Sequence, residues 1–349
     1  MRTHIPLVVL VAYVYITCAA FLLAQTDAIP KTPAQAKPLP NNASEMLALL
    51  VKSNGLDISG TRAWHIKLSY DHFDDDGDND SSGTYEEWWA GPREFKREYA
   101  SENFHRTEVA NTEGLFVTGD QQWPGRIEWQ VREEVVEPLY RSAVPLSTTK
   151  PDNFSWTVGS VTLPCVVVRG GRIISDNGLP KFCFDPNSEI LRYTRGRGWD
   201  ETTYNKISPF QDRYVGREVG VTQGGKKYLQ IHVKELDTIA QVQDAEFLRT
   251  PGAVGPIGDG IEVPSSVMGE YMIPRFPAPF PHFGGKRGAV KLEIQIGRDG
   301  HVRAAKVISG PEGVEKSAIA AAKQMEFRPF LVLGAPVAVR TTWGFSIAP

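Results

Sequence analysis

Hydrophobic and polar residues alternate one for one through much of this chain, and in a few places the spacing lengthens to three and four. Near the end, Val290, Leu292, Ile294 and Ile296 alternate with Lys291, Glu293 and Gln295. That period of two is the mark of a strand with one buried face. Arg298-Asp299-Gly300 follows, and Asp-Gly accepts the positive φ that a tight hairpin needs. Val302 to Ile308 then resumes an extended run, so the pattern predicts a β-hairpin. Val314, Ala318, Ala321, Ala322 and Met325 recur at helical spacing. Pro311 and Glu312 suit the first turn of that helix, where a missing N–H costs nothing and a carboxylate meets the positive end of the dipole. Gly334-Ala335-Pro336 predicts a turn, and Val337, Val339, Thr341, Trp343, Phe345 and Ile347 occupy alternate positions of a last strand.

Upstream, from about Glu45 to Thr250, short alternating runs such as "AWHIKLSYDHF", "VTLPCVVVR" and "GGKKYLQIHVKEL" are separated by Gly, Asp, Asn or Pro. That cadence predicts one large antiparallel sheet. Helices are predicted near Ser44 to Lys52 and around Val131 to Tyr140. The fold class is therefore α+β: a large antiparallel β-rich domain followed by a small ββαβ domain.

The N-terminus differs from both. After Arg2 and His4, Leu7 to Ala24 carries no charge. This length sits at the lower edge for a membrane-spanning helix and is long for the core of a cleavable signal. Two readings stand: an anchor, or a signal cleaved after the small residues near Ala20 or Ala28. Either one puts the body of the chain outside the cytoplasm, as an inner-membrane protein with a periplasmic body or as a free periplasmic protein. Pro30, Pro33, Pro38 and Pro40 follow as a short spacer. The expected organisation is 1–26 signal or anchor, 27–43 Pro-rich linker, 44–250 β-rich domain, 251–275 linker and 276–349 C-terminal domain.

Composition adds exclusions. The chain is 41% hydrophobic and 23% charged with a net charge of -3, and no basic run suggests nucleic acid. No nucleophile, Walker or dinucleotide motif appears, and the histidines lack ligand spacing, so neither enzyme activity nor a cofactor is expected. Paired carboxylates such as Glu86-Glu87 and Glu133-Glu134 would point to opposite faces of a strand. Asp76, Asp78, Asp80 and Glu87 match positions one, three, five and twelve of a calcium loop, but Ser81 stands where glycine is wanted and the flanks read as strands. A solvated acidic hairpin tip is expected instead. Outside the cytoplasm disulfides persist. Cys165 and Cys183 lie in neighbouring strand-like runs and are the candidate bridge; two buried free thiols are the alternative.

The order and residues of the last quarter resemble the C-terminal domain of TonB-family energy transducers. The matching pieces are Gly288 and Val290, Asp299-Gly300-His301-Val302, Ser309-Gly310, Ala318 to Ala322, Phe327-Arg328-Pro329, Gly334-Ala335-Pro336-Val337 and Phe345. The family's Tyr-Pro-x-x-Ala signature before the hairpin is replaced here by "FPAPFPHFGGKRG". Its usual membrane-helix Ser and His are missing from Leu7 to Ala24. The resemblance implies contact with an outer-membrane receptor or another envelope protein. A partner segment would add to the last strand, near Arg340, Thr341 and Trp343. The middle region loosely resembles LolA-like lipoprotein carriers, which implies a half-barrel that shelters an acyl chain. Trp88, Trp89, Trp123, Trp129, Trp156 and Trp199 would then line a lipid groove, or simply fill the sheet's core. Transport-linked transducer, lipid carrier and envelope binding module are thus the competing functions.

Overall fold

A computed structural model describes residues 39–58, 60–139, 150–158, 160–169, 180–196, 200–273, 280–281 and 288–347. The apolar N-terminal segment, Tyr140 and Trp199 lie outside the described residues. Among those described, no helix is long and apolar enough to cross a membrane.

Helix α1 (Ala43–Ser53) opens the structure, and the Asn42 side chain caps it by accepting from the Ser44 and Glu45 N–H groups at 2.8 and 3.2 Å. Five strands follow as a meander: β1 (Trp64–Phe73), β2 (Asn79–Gly91), β3 (Glu94–Ser101), β4 (His105–Asn111) and β5 (Gly114–Gly119). Helix α2 (Arg126–Val136) crosses to a second meander. That one comprises β6 (Lys150–Val158), β7 (Val161–Arg169), β8 (Lys181–Phe184), β9 (Leu191–Arg195), β10 (Asp200–Phe210), β11 (Arg213–Gln223) and β12 (Lys226–Thr238). Pairing of β1 with β12 joins the meanders into one sheet ordered β5-β4-β3-β2-β1-β12-β11-β10-β9-β8-β7-β6. Every pairing in it is antiparallel, and β5 and β6 stay apart as its two edges, so the sheet is open.

Alternation sets which side is core. Trp64, Ile66 and Leu68 of β1, Tyr85 and Trp89 of β2, and Leu229 and Ile231 of β12 are buried, as are Leu47 and Leu50 of α1 and Val131 and Val135 of α2. The two helices therefore cover the inner face. Helix α2 begins earlier than expected and ends at Val136, because Pro138 disfavours helical geometry in the residue before it. Glu133 and Glu134 consequently lie on a helix, and both are buried there.

Of residues 251–275, expected as a linker, the described part, 251–273, carries structure. Val254 exchanges both backbone hydrogen bonds with Val117 of β5, at 2.8 and 2.9 Å. Strand β13 (Ile261–Glu262) and helix α3 (Ser265–Tyr271) come next. The C-terminal unit continues with β14 (Gly288–Ile296), β15 (Val302–Ser309), α4 (Glu315–Lys323), β16 (Phe330–Val332), β17 (Ala335–Val337) and β18 (Val339–Ile347). Its sheet runs β13-β18-β14-β15, one strand more than the ββαβ expectation, and β16 and β17 form a separate hairpin. Helix α4 starts at Glu315 and not at Pro311, because Gly313 with φ 81° breaks the turn before it. Its buried residues are Ala318, Ala321 and Ala322, small enough to let the helix lie close to the sheet. Val337 belongs to β17 and not to the last strand. The two units share one core: the Trp123 ring meets Phe330 edge-on at 5.2 Å, and Arg126 of α2 faces Glu270 of α3 at 3.8 Å.

Candidate functional site

The edge formed by β18 is built from both ends of the C-terminal unit. On one side β18 pairs antiparallel with β14, Thr341 opposite Ile294 and Trp343 opposite Leu292. On the other side Ile261 and Glu262 of β13 pair parallel with Val339 and Arg340. Gly260 N–H donates to the Ala338 carbonyl at 2.7 Å and Val263 N–H to the Arg340 carbonyl at 2.9 Å. Peptide groups of a strand alternate in direction, so Thr342, Gly344 and Ser346 also turn theirs to this outer side. Among the described residues no strand pairs with them there; α3 packs beside β18, and the Phe280 ring stands edge-on to Phe345 at 5.9 Å.

The expected partner residues separate on this edge. Arg340 is exposed, and its guanidinium donates to the Gly260 carbonyl at 3.2 Å. Trp343 is half-buried on the helix side, its ring edge-on to Phe327 at 5.6 Å. Thr341 is 1% exposed, its side chain faces the core, and it pairs with Ile294 of β14. The alternation of the strand carried this signal, since Thr341 shares the parity of Val339 and Phe345.

Asp259 completes the edge. Its carboxylate accepts from Arg298 Nε at 3.0 Å and Nη2 at 2.6 Å, and from the Ala338 N–H at 2.8 Å. The Arg298 hydrogen bond, then the Ala338 N–H, hold this carboxyl below its ordinary range. Nothing in the sequence patterning singles out Asp259, because its partners come from two other segments.

The opposite edge, β15, carries exposed Arg303 and Lys306, charges of the kind that discourage strand addition.

Inside the large sheet, where a lipid carrier would need an apolar hollow, there is a chain of buried charges. Glu87, fully buried, accepts from Arg97 Nε at 2.9 Å and Arg132 Nε at 3.1 Å. Arg132 also donates to Glu137 at 2.6 Å and to Asp57 at 3.0 Å. Beyond Arg97, Glu108 binds Arg106 at 2.8 Å, and Arg106 reaches the carbonyls of Asp120, Gln121 and Gln122. Burial, then the charge of Glu137, push Glu133 well above the usual carboxylate range. Burial, the largest influence, would also raise Asp57, but the charge of Arg132, a hydrogen bond with Glu137 and the charge of Arg97 together outweigh it and leave that carboxyl low. Two cavities beside α2, one bounded by Glu134 and Tyr204 and the other by Asp57 and Glu137, measure only about 10 Å³ each, room for about one water. A larger open groove of about 560 Å³ lies between the start of α1 and β6–β7, among Leu39, Met46, Phe154 and Pro164.

The other expected features fall elsewhere. Cys165 and Cys183 are directly paired across β7 and β8 and joined by a disulfide. The acidic stretch is a hairpin tip between β1 and β2, where the Asp74 carboxylate accepts from the Asp76 and Asp78 N–H groups. Among the described residues the tryptophans are spread over both faces and do not line one groove: Trp89 stacks on Trp64 in the core, Trp88 on His65 outside, and Trp156 on Tyr193. Ligand atoms of His65, Glu235 and Asp237 lie within 4.8 Å of one another on the outer face. Both of those carboxylates are exposed, and His65 already engages Glu86 at 2.8 Å.

Comparison with known proteins distinguishes the two units. No curated protein matches the chain. A LolA superfamily protein from Nitrosomonas europaea is similar at 8% identity and a TM-score of 0.42, covering 60% of this chain and 99% of that one. A putative outer membrane lipoprotein-sorting protein domain from Vibrio parahaemolyticus is similar at 8% identity and a TM-score of 0.38, covering 59% of this chain and 95% of that one. These likenesses are too distant to assign a ligand or a role. The C-terminal unit is more definite: residues 284–347, which span β14 to β18, match the family model of the Gram-negative bacterial TonB protein C-terminal.

Proposed function

We propose that this chain is a cell-envelope protein with its body in the periplasm, and that its C-terminal sheet binds an extended segment of a partner protein by strand addition along β18. One observation carries the reading. The outer side of β18 already accepts a strand in cis, through the Gly260 and Val263 N–H groups, while its remaining length has no strand partner among the described residues. Main-chain bonds would supply affinity and neighbouring side chains selectivity. The match of residues 284–347 supports an envelope setting. Coupling of energy to outer-membrane transport is the finer form of the proposal; the absence of His and Ser from Leu7 to Ala24 argues for a binding role without a motor.

The test uses a photo-crosslinking residue at Ser346 in the full chain, expressed in a Gram-negative host, with the same residue at Lys323 on α4 as control. A partner adduct is expected at Ser346 and not at Lys323. It should disappear in Gly344→Pro, which removes an outward donor at a position where an added side chain has open space. Equal adducts at both sites, or an adduct at Ser346 that survives in a folded Gly344→Pro chain, would refute strand addition here.

A second reading has one observation in its favour: the groove by α1 is of a size that holds small ligands. A lipid recovered by mass spectrometry from the purified chain and lost in Met46→Glu would support a carrier role; a lipid-free chain would oppose it.

A further inference from the structure

Strand β13 is an unusual element. It has two paired residues, and among the described residues it is the one strand that runs parallel to its neighbour. It lies on the very edge proposed for the partner, so this inference rests on the strand-addition reading. We infer that residues Asp259 to Glu262 are an internal place-holder, and that the partner segment is an extended peptide that displaces them, runs parallel to β18 and carries the same chemistry: an acidic residue followed by an apolar residue two positions on.

The contacts of the place-holder give that chemistry. Asp259 satisfies two groups that would otherwise be unpaired at the edge, the Ala338 N–H and the exposed Arg298 guanidinium. Ile261 is half-buried, Val263 fully buried, and Glu262 between them is exposed. Only alternate residues are read, as expected for a strand laid on a sheet edge. Arg298 binds the Asp259 carboxylate and Arg340 binds the neighbouring Gly260 carbonyl, so an incoming carboxylate would meet Arg298 while its backbone meets Arg340.

The segment is also built to leave. Val263, with Val267 and Met268 of α3, is anchored in the core at 0% exposure. Ahead of that anchor, Gly258 and Gly260 flank Asp259, and adding a Cβ at either glycine meets nothing within 4 Å. The clasp itself is solvent-exposed, with side-chain exposures of 66% for Arg298 and 45% for Asp259. Exposed ion pairs hold weakly and are screened by salt. Peeling Asp259 to Glu262 away from a fixed hinge at Val263 therefore uncovers Val339 and Arg340 without disturbing the core.

The experiment titrates a labelled, acetylated and amidated peptide of residues 257–265 against the full chain by fluorescence anisotropy. In the parent the internal copy competes, and apparent affinity is reduced by the fraction of time the edge is covered. The release variant Asp259→Ala/Ile261→Gly, with release verified by faster amide exchange at Gly260, is expected to bind the peptide at least fivefold more tightly. A peptide with alanine in place of its aspartate should bind that variant at least fivefold more weakly. A second variant, Glu262→Cys/Arg340→Cys, places thiols at directly paired positions. Its oxidised form should bind at least fivefold more weakly than the same chain after mild reduction. Equal affinity of parent and release variant, or of oxidised and reduced lock, overturns the place-holder while leaving strand addition standing. A released chain that binds no peptide at all, with its edge amides exchanging freely, overturns strand addition itself and this inference with it.

Discussion

Replacing Arg132 by Met should loosen α2 from the sheet and make the stability of the chain depend on pH. Arg132 is 7% exposed at its side chain and donates to three carboxylates: Glu87 at 3.1 Å, Glu137 at 2.6 Å and Asp57 at 3.0 Å. Charge-assisted bonds contribute roughly 1.5 to 3 kcal/mol each, so a simple sum over three would be about 4.5 to 9 kcal/mol. The true loss is smaller. Glu87 keeps Arg97 and the Tyr85 hydroxyl, and Glu137 and Asp57, at 17% and 21% exposure, can take up protons or reach water. Removing one partner of a buried ion pair costs about 3 to 5 kcal/mol, and the lower half of that range is expected at pH 8. The sign of the pH effect follows from the proton count. In the parent, Asp57 is held below its ordinary value of 3.8, so its contribution is present above that pH and is lost only as pH falls further. In the variant, the unpaired carboxyls should titrate above their unfolded values, so the folded state binds extra protons and loses stability as pH rises through those raised values. The difference between parent and variant should therefore be larger at pH 8 than at pH 5. Urea unfolding followed by tryptophan fluorescence at both pH values measures it, and amide exchange in α2 locates it. A loss below about 1 kcal/mol at pH 8, or one that does not shrink at pH 5, would refute this account of the charge chain.

Three further predictions concern other elements. Gly300→Ala should destabilise the C-terminal unit by more than about 2 kcal/mol, measured by thermal unfolding, because Gly300 has φ 82° and an added Cβ would sit 1.8 Å from the Phe327 carbonyl oxygen; a variant as stable as the parent would disprove it. Replacing Cys165 and Cys183 together by serine should lower stability by about 3 kcal/mol, the usual effect of releasing a loop of this length, since the bridge closes a sequence separation of 18; a change under about 1 kcal/mol in urea unfolding would contradict that. The hairpin tip at Asp74 to Asp80 should show no submicromolar calcium binding by calorimetry, because Asp74 already spends its carboxylate on the turn's own N–H groups; tight binding lost in Asp78→Ala would show otherwise.

The alternation of Val290 to Ile296, the Asp299-Gly300 turn, the alanine stripe of α4 and the parity of the last strand were all legible in order along the chain. Each of these depends on local geometry: a strand's period of two, a helix's three and four, a turn's need for positive φ. The antiparallel cadence from Trp64 to Thr238 was legible for the same reason, and so was the placement of Glu86 and Glu87 on opposite faces. The burial of Glu87 on the core face was not. Glu87 reads as one more surface carboxylate until Arg97, ten residues on, and Arg132, from the helix that covers the inner face of the sheet, close around it. Only the tertiary structure brings those charges together, because their attraction matters after burial has removed water. Tertiary structure also decided the role of residues 251–273. Their Gly and Pro content reads as a connection, yet Val254 pairs beside Val117 of β5 and Ile261 takes a place beside Val339. Backbone hydrogen bonds formed at the edge of a sheet leave no pattern in side chains, so a strand of two residues stays invisible until its neighbour is in place.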